Sequence, residues 1–169
     1  TALASQAAVN ALGDAGITPA TLDLIVIATS TPDSGCPSTA ARVASALGVR
    51  AGGFDVNAAC CGFVHALGAA AALVAFVAPA SDDPVAGADR YTSLTDPTDR
   101  NTAVLFGDGA GAMVIQKVTR RPGAPGILGT DQGGAPRTLR LIEVTPGRDH
   151  LTMDGPDLFR RATRAMVAS

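Results

Sequence analysis

The sequence predicts an α/β fold in which a mainly parallel sheet is layered with helices. Three observations carry that expectation. Leu24-Ile25-Val26-Ile27-Ala28 is an unbroken apolar run, as in a strand covered on both faces. Apolar residues at helical spacing flank it before and after. Helix and buried strand then alternate along the chain, the pattern of parallel strands joined by crossing helices.

In order, Leu3, Ala7, Ala8, Ala11, Leu12 and Ala15 form the first helical stripe, and Gly16 follows where a helix favours glycine. Thr29 to Pro37 is a polar loop containing Pro32, Gly35 and Cys36. A second helix runs from about Ser38 to Leu47, with Val43 and Leu47 one turn apart and Gly48 at its end. Phe54 and Val56 close a short strand. From Ala58 to Ala78 the chain is almost wholly apolar, Ala-rich and free of proline, which predicts a helix buried on all sides. That run is long enough to span a membrane. Gly62, His65 and Gly68 interrupt it and no basic residues flank it, so the reading is a core helix.

After Pro79 the pattern weakens. Ser81-Asp82-Asp83-Pro84 reads as a loop and Val85-Ala86-Gly87-Ala88 as a poor strand, because Pro and two Asp residues oppose a central strand. Tyr91 to Asn101 is a polar loop with Pro97 and Arg100. Gly107-Asp108-Gly109-Ala110-Gly111-Ala112 leads into a strand at Met113-Val114-Ile115. The alternating glycines suit close backbone packing rather than a phosphate cradle, since no helix and no Lys-Ser/Thr pair follows them. Arg120 to Pro136 is loop-like, and Leu139 to Val144 alternates enough for an outer strand. Asp154-Gly155-Pro156 starts a last helix, on which Arg160, Arg161 and Arg164 lie beside Leu158, Phe159 and Met166. The plain reading of that cluster is a solvated face; an acidic partner is the second.

Composition narrows the function. The chain has 169 residues, 47% hydrophobic and 17% charged, so it is globular and large enough for a real core. A net charge of -2 argues against nucleic acid as a partner. Three cysteines, two of them adjacent, make neither a disulfide framework nor a zinc site, and they fit a reducing cytoplasm. The chain begins at Thr1 and stops at Ser169 inside helical patterns, which suggests a segment of a longer protein.

The chemistry centres on Cys60 and Cys61, where a strand hands over to the first turn of an apolar helix. Unpaired N–H groups and the helix dipole favour negative charge there, so a thiolate at that point is a competent nucleophile with oxyanion donors beside it. The plain alternative is a buried cysteine acting as a small hydrophobe. Physical chemistry does not choose between Cys60 and Cys61.

Four stretches together resemble β-ketoacyl-(acyl carrier protein) synthase III, a thiolase-fold condensing enzyme family. They are Thr31-Pro32-Asp33 with Pro37-Ser38-Thr39; Phe54-Asp55-Val56 with Ala58-Ala59-Cys60; Thr98-Asp99-Arg100 running to Phe106-Gly107-Asp108-Gly109-Ala110-Gly111; and Met153-Asp154-Gly155 with Phe159. Order and spacing agree along nearly the whole chain. The resemblance implies a thiolase-like α/β/α layered fold, with 1–169 as most of the N-terminal half plus the start of the following connecting segment, and the C-terminal half absent. It implies that Cys60 is the nucleophile, taking an acyl group from a coenzyme A thioester before a malonyl group on acyl carrier protein decarboxylates and attacks it, as in fatty acid or polyketide initiation. It places Phe106 and Phe159 along the acyl and pantetheine channel, Met153 and Gly155 at the substrate pocket, Cys36 where a side chain reaches the acyl pocket of the partner subunit, and Arg100 at the nucleotide end of coenzyme A. Arg160, with Arg161 and Arg164, would dock the carrier protein. No metal or cofactor is implied beyond the coenzyme A thioester substrate, and the full-length protein is expected to be a homodimer.

Two departures qualify the resemblance. The family's catalytic His and Asn belong to the half that is absent, and neither His65 nor His150 sits in a matching motif. His65, five residues after Cys60, points to a different helix face. The family's hydrophobic strand near its dimer interface is replaced here by Ser81-Asp82-Asp83-Pro84. The alternatives are a relative that acylates a hydroxyl or amine, and a non-catalytic subunit that binds carrier protein.

Overall fold

In the computed structural model, which describes residues 1–77, 82–119, 123, 126–134, 138–144 and 150–168, the apolar run is strand β1 (Leu24–Ala28). It lies inside a four-stranded sheet of order β2-β1-β3-β4, where β2 is Gly52–Val56, β3 Asp82–Arg90 and β4 Asp108–Gln116. β1 runs parallel to β2, Leu24 beside Gly52 through Ala28 beside Val56. It also runs parallel to β3, with Val26 beside Val85 and Ala28 beside Gly87.

Alternation along β1 divides the core into two layers. Ile25 and Ile27 face helices α1 (Ala2–Ala15) and α2 (Thr39–Leu47) and pack with Ala4, Ala8, Ala40 and Val43. Val26 and Ala28 face α3 (Gly62–Val77) and pack with Ala66, Ala70 and Val85. This two-sided arrangement follows from chain direction. From β1 the chain crosses by α2 to β2 on one side, then returns by α3 to β3 on the other. One handedness for both crossovers requires the two helices on opposite faces.

Local signals explain the helix ends. Gly16 and Gly48 adopt the left-handed conformation that closes α1 and α2. The Ser38 hydroxyl accepts from the Ala41 N–H at the start of α2. The buried stripe of α1 is Ala4, Ala8 and Leu12, one position round from the expected one, and Leu3 is exposed.

Four expectations are corrected. The helix after Cys61 is buried on one side only: Ala66, Ala70 and Val74 are covered, whereas Val64 is 54% and Phe76 90% exposed. An all-apolar sequence carries no record of which face meets the sheet. By length and composition Ala59–Phe76 could cross a membrane, yet its covered face packs on β1 and β3. Val85-Ala86-Gly87-Ala88 belongs to a full strand, with Val85 and Ala86 wholly buried; pairing with β1 at 85–87 outweighs the poor propensity of Asp82-Asp83-Pro84. Ser81 lies outside the described residues. Gly107, Gly109 and Gly111 face open space rather than a close neighbour, and β4 begins at Asp108 instead of Met113. The outer strand at Leu139–Val144 contracts to Ile142–Glu143 (β5), paired antiparallel with Thr152–Met153 (β6).

The chain divides into two compact units, Thr1–Asp89 with Gly109–Gln132, and Arg90–Asp108 with Gly133–Ser169. The second contains the turns from Tyr91 to Phe106, the β5–β6 pair and helix α4 (Gly155–Ala168). Asp154 starts α4 by accepting the Asp157 N–H at 3.1 Å.

Candidate active site

In the first unit the carboxyl ends of β1, β2 and β3 come together. In an open α/β sheet the crevice there, where successive connections diverge to opposite faces, is the usual ligand site. The chain leaves β1 into the 29–37 loop, leaves β2 into Asn57-Ala58-Ala59-Cys60, and ends β3 near Asp89.

Cys60 sits in a 3-10 turn, Ala59–Cys61, which runs directly into α3. Cys60 and Cys61 are both exposed free thiols, so the reading of either as a buried small hydrophobe does not apply. The turn is closed by the Cys61 N–H donating to the Ala58 carbonyl at 3.1 Å and the Gly62 N–H donating to the Ala59 carbonyl. Those two donors are engaged within the turn. The Cys60 N–H, by contrast, has no acceptor among the described residues. Gly62 lets α3 start against the sheet, because a Cβ there would lie 3.3 Å from the Ala28 Cβ. Gly87 does the same for Phe63, whose ring would meet an added Cβ at 3.2 Å. His65 is occupied locally: its Nδ1 lies 3.0 Å from the Cys61 carbonyl oxygen.

The other first-unit positions are held by carboxylates. Asp55, on β2, accepts from the Thr39 N–H at 2.7 Å and the Ala40 N–H at 2.8 Å, so it anchors the start of α2. Asp89 gathers the loop after β1, accepting from the Ser30 N–H at 2.7 Å and the Thr31 hydroxyl at 3.1 Å. Cys36 is exposed on that loop, before a cis peptide to Pro37, and Arg42 steadies the loop through Ser34 at 2.8 Å.

In the second unit, Met153 and Gly155 line one cleft of about 690 Å³ together with Asp99, Asn101, Leu105 and Leu151. Arg100, exposed, lies on the turn between two of those residues. Phe106 is half-buried and stacks on Tyr91 with ring centroids 5.3 Å apart. Phe159 is 72% exposed and borders a shallow apolar groove with Arg160 and Arg164. Arg160 and Arg161 both bond Asp157, at 3.1 and 2.8 Å. Arg164 has no ion pair among the described residues.

The sequence assigned no role to Asn57, Ser30 or Asp89, and showed Asp55 only as part of the Phe54-Asp55-Val56 motif. An amide two residues before a tight turn is a readable signal. The partners of Asp89 lie 58 to 60 residues away, and no local pattern announces them.

The turn carrying Arg100 has an acid-sensitive framework. The Thr98 hydroxyl and N–H hold Asp96 below its ordinary carboxyl value of 3.8, and the Asn101 N–H and Thr102 hydroxyl do the same for Asp99. These aspartates therefore support the turn fully above 3.8, and the support is lost as pH falls through the lowered values. NMR titration of the two carboxyls is expected to give midpoints below 3.8. Midpoints at or above it would show that the bonds are not made in solution.

A sequence family described as 3-oxoacyl-[acyl-carrier-protein (ACP)] synthase III matches residues 54–134. The chain is 47% identical over 150 residues to beta-ketoacyl-[acyl-carrier-protein] synthase III 2 of Streptomyces coelicolor, covering 87% of this chain and 44% of that protein. It is 44% identical over 170 residues to beta-ketoacyl-[acyl-carrier-protein] synthase III of Rhodospirillum rubrum, covering 95% and 52%. The crystal structure of 3-oxoacyl-[acyl-carrier-protein] synthase III from Aquifex aeolicus superposes with a TM-score of 0.86 at 39% identity, covering 96% of this chain and 52% of that one. The priming beta-ketosynthase of the R1128 polyketide biosynthetic pathway gives 0.86 at 35%, covering 98% and 52%. The chain spans about half the length of the curated relatives it matches.

Proposed function

The chain belongs to the β-ketoacyl-[acyl-carrier-protein] synthase III family and has its thiolase-type layered fold, and from that premise we propose that Cys60 is the acyl-accepting nucleophile of a condensing enzyme. The observation that supports this most is the exposed Cys60 thiol, whose own N–H has no acceptor among the described residues, at the carboxyl ends of parallel strands. The Cys60 thiolate attacks the carbonyl carbon of an acyl-CoA. A carbon–sulfur bond forms, negative charge collects on the carbonyl oxygen within reach of the Cys60 N–H, and the coenzyme A thiolate leaves. A malonyl group on acyl carrier protein then loses carbon dioxide, and its carbanion attacks the acyl-cysteine carbonyl: the new carbon–carbon bond forms, the carbon–sulfur bond breaks, and the Cys60 thiolate is released. In this reading Phe106 and Phe159 serve the acyl and pantetheine path, Met153 and Gly155 the substrate pocket, Cys36 reaches the acyl pocket of the partner subunit, and Arg100 meets coenzyme A. The setting is the cytoplasm, with the intact gene product a homodimer.

Mass spectrometry of the intact gene product after incubation with an acyl-CoA tests the first half-reaction. An acyl adduct on the Cys60 peptide is expected. A protein that binds carrier protein yet stays unmodified would instead be the non-catalytic subunit.

Carrier-protein docking is tested separately. Arg160→Glu should weaken carrier-protein binding several-fold at low salt, with the difference shrinking as salt rises, and leave acylation by acyl-CoA unchanged. Asp157 partly neutralises Arg160 and Arg161, so Asp157→Asn should strengthen low-salt binding. Loss of both binding and acylation in Arg160→Glu would point to misfolding.

A further inference from the structure

We infer that Asn57 is a positioning residue for Cys60: its side-chain oxygen holds the left-handed residue that aims the nucleophile, and ties it to the other two strand ends. This rests on Cys60 as the acylated thiol. Ala59, immediately before Cys60, has φ 45°, and among the described residues it is the one non-glycine with positive φ. An alanine in that region is strained and stays there only where its surroundings hold it. Rotation of Ala59 towards the right-handed region would swing the Cys60 side chain away from its present direction.

The restraint is a short relay. Asn57 Oδ1 accepts the Ala59 N–H at 3.3 Å and the Ser30 hydroxyl at 3.4 Å. The Ser30 N–H donates to Asp89 Oδ1 at 2.7 Å, and the same oxygen accepts from the Thr29 and Thr31 hydroxyls at 3.3 and 3.1 Å. Residues just beyond β1 and β2 are thus joined to the end of β3, with the strained turn on one arm of the junction. In both of its bonds Asn57 serves as an acceptor. An aspartate there keeps the acceptor oxygen; an alanine removes it. Asn57 is exposed, so neither change removes core packing.

The experiment uses the intact gene product with acetyl-CoA as the probe and reads the rate of Cys60 acetylation. Asn57→Ala is expected to lower the maximal rate about tenfold, comparable to the worth of one hydrogen bond, with the half-saturating acetyl-CoA concentration unchanged. Asn57→Asp should recover most of the loss, which a merely structural role for the amide would not predict. Ser30→Ala removes the link to Asp89 and should give a smaller loss in the same direction. Iodoacetamide labelling, mapped by peptide, is run alongside: Cys60 should label more slowly in Asn57→Ala while Cys36 labels at the wild-type rate. The inference is overturned if Asn57→Ala acetylates and labels as wild type, if Asn57→Asp is as impaired as Asn57→Ala, or if Ser30→Ala shows no change. Should the wild type take no acetyl group, the reading of Cys60 as an acyl acceptor fails. Slower Cys60 labelling in Asn57→Ala, recovered in Asn57→Asp, would then still support the positioning role by itself.

Discussion

Cys60→Ala abolishes the acyl adduct and lowers acyl-CoA turnover by on the order of 10³-fold or more, since loss of a nucleophile removes the whole covalent route. Cys61→Ala retains the adduct and most of the rate. The pair is a sharp comparison because the two thiols are adjacent and both exposed, so accessibility does not separate them. What separates them is the turn. The Cys61 N–H is bonded to the Ala58 carbonyl, while the Cys60 N–H has no acceptor among the described residues. An adduct that survives in Cys60→Ala and disappears in Cys61→Ala would move the nucleophile by one residue and undo the assignment.

The second large effect is on stability. Ile25 is wholly buried between β1 and the α1–α2 layer, so Ile25→Ala should cost about 2–5 kcal/mol, the range for truncating a core aliphatic. That is a large share of the ~5–15 kcal/mol that holds a domain together. Phe76 is the contrast: it is far larger than alanine but 90% exposed on α3. In the 169-residue chain Phe76→Ser should change stability by no more than about 0.5 kcal/mol and reduce self-association, because Phe76 joins Val64 and Leu73 as exposed apolar side chains on α3. Urea unfolding of both variants, with light scattering for association, decides the matter. If Phe76→Ser is as destabilising as Ile25→Ala, the outer face of α3 is covered in solution.

What could be read from the residues, and what could not, divides along a physical line. Strand β1 was legible because five consecutive apolar residues leave few alternatives. α2 was legible because Ser38 and Gly48 mark both of its ends by local chemistry. The handover from β2 to α3 at Cys60 was legible for the same reason, in the change from alternating to continuous apolarity. β3 was not, since its pairing at Val85 to Gly87 is decided by β1, while the neighbouring Asp82-Asp83-Pro84 argues locally for a loop. The covered side of α3 was hidden because an apolar residue looks the same whether it meets a sheet or water. Asn57 was half legible as a turn former, but its link through Ser30 to Asp89 depends on contacts across dozens of residues.

The place of β1 inside the sheet also sets an order of assembly. Its partner on one side, β2, begins 28 positions later, with Leu24 beside Gly52. Its partner on the other side is 59 positions away, with Val26 beside Val85. During synthesis β1 can therefore acquire one neighbour well before the other exists. Until Val85 has emerged, the flank later taken by β3 is an unpaired row of N–H and C=O groups on one of the most apolar strands of the chain, the kind of edge that invites pairing with another molecule. The nascent chain is most exposed to misassociation in that interval, while α3 is emerging, and the arrival of β3 is the event that closes it.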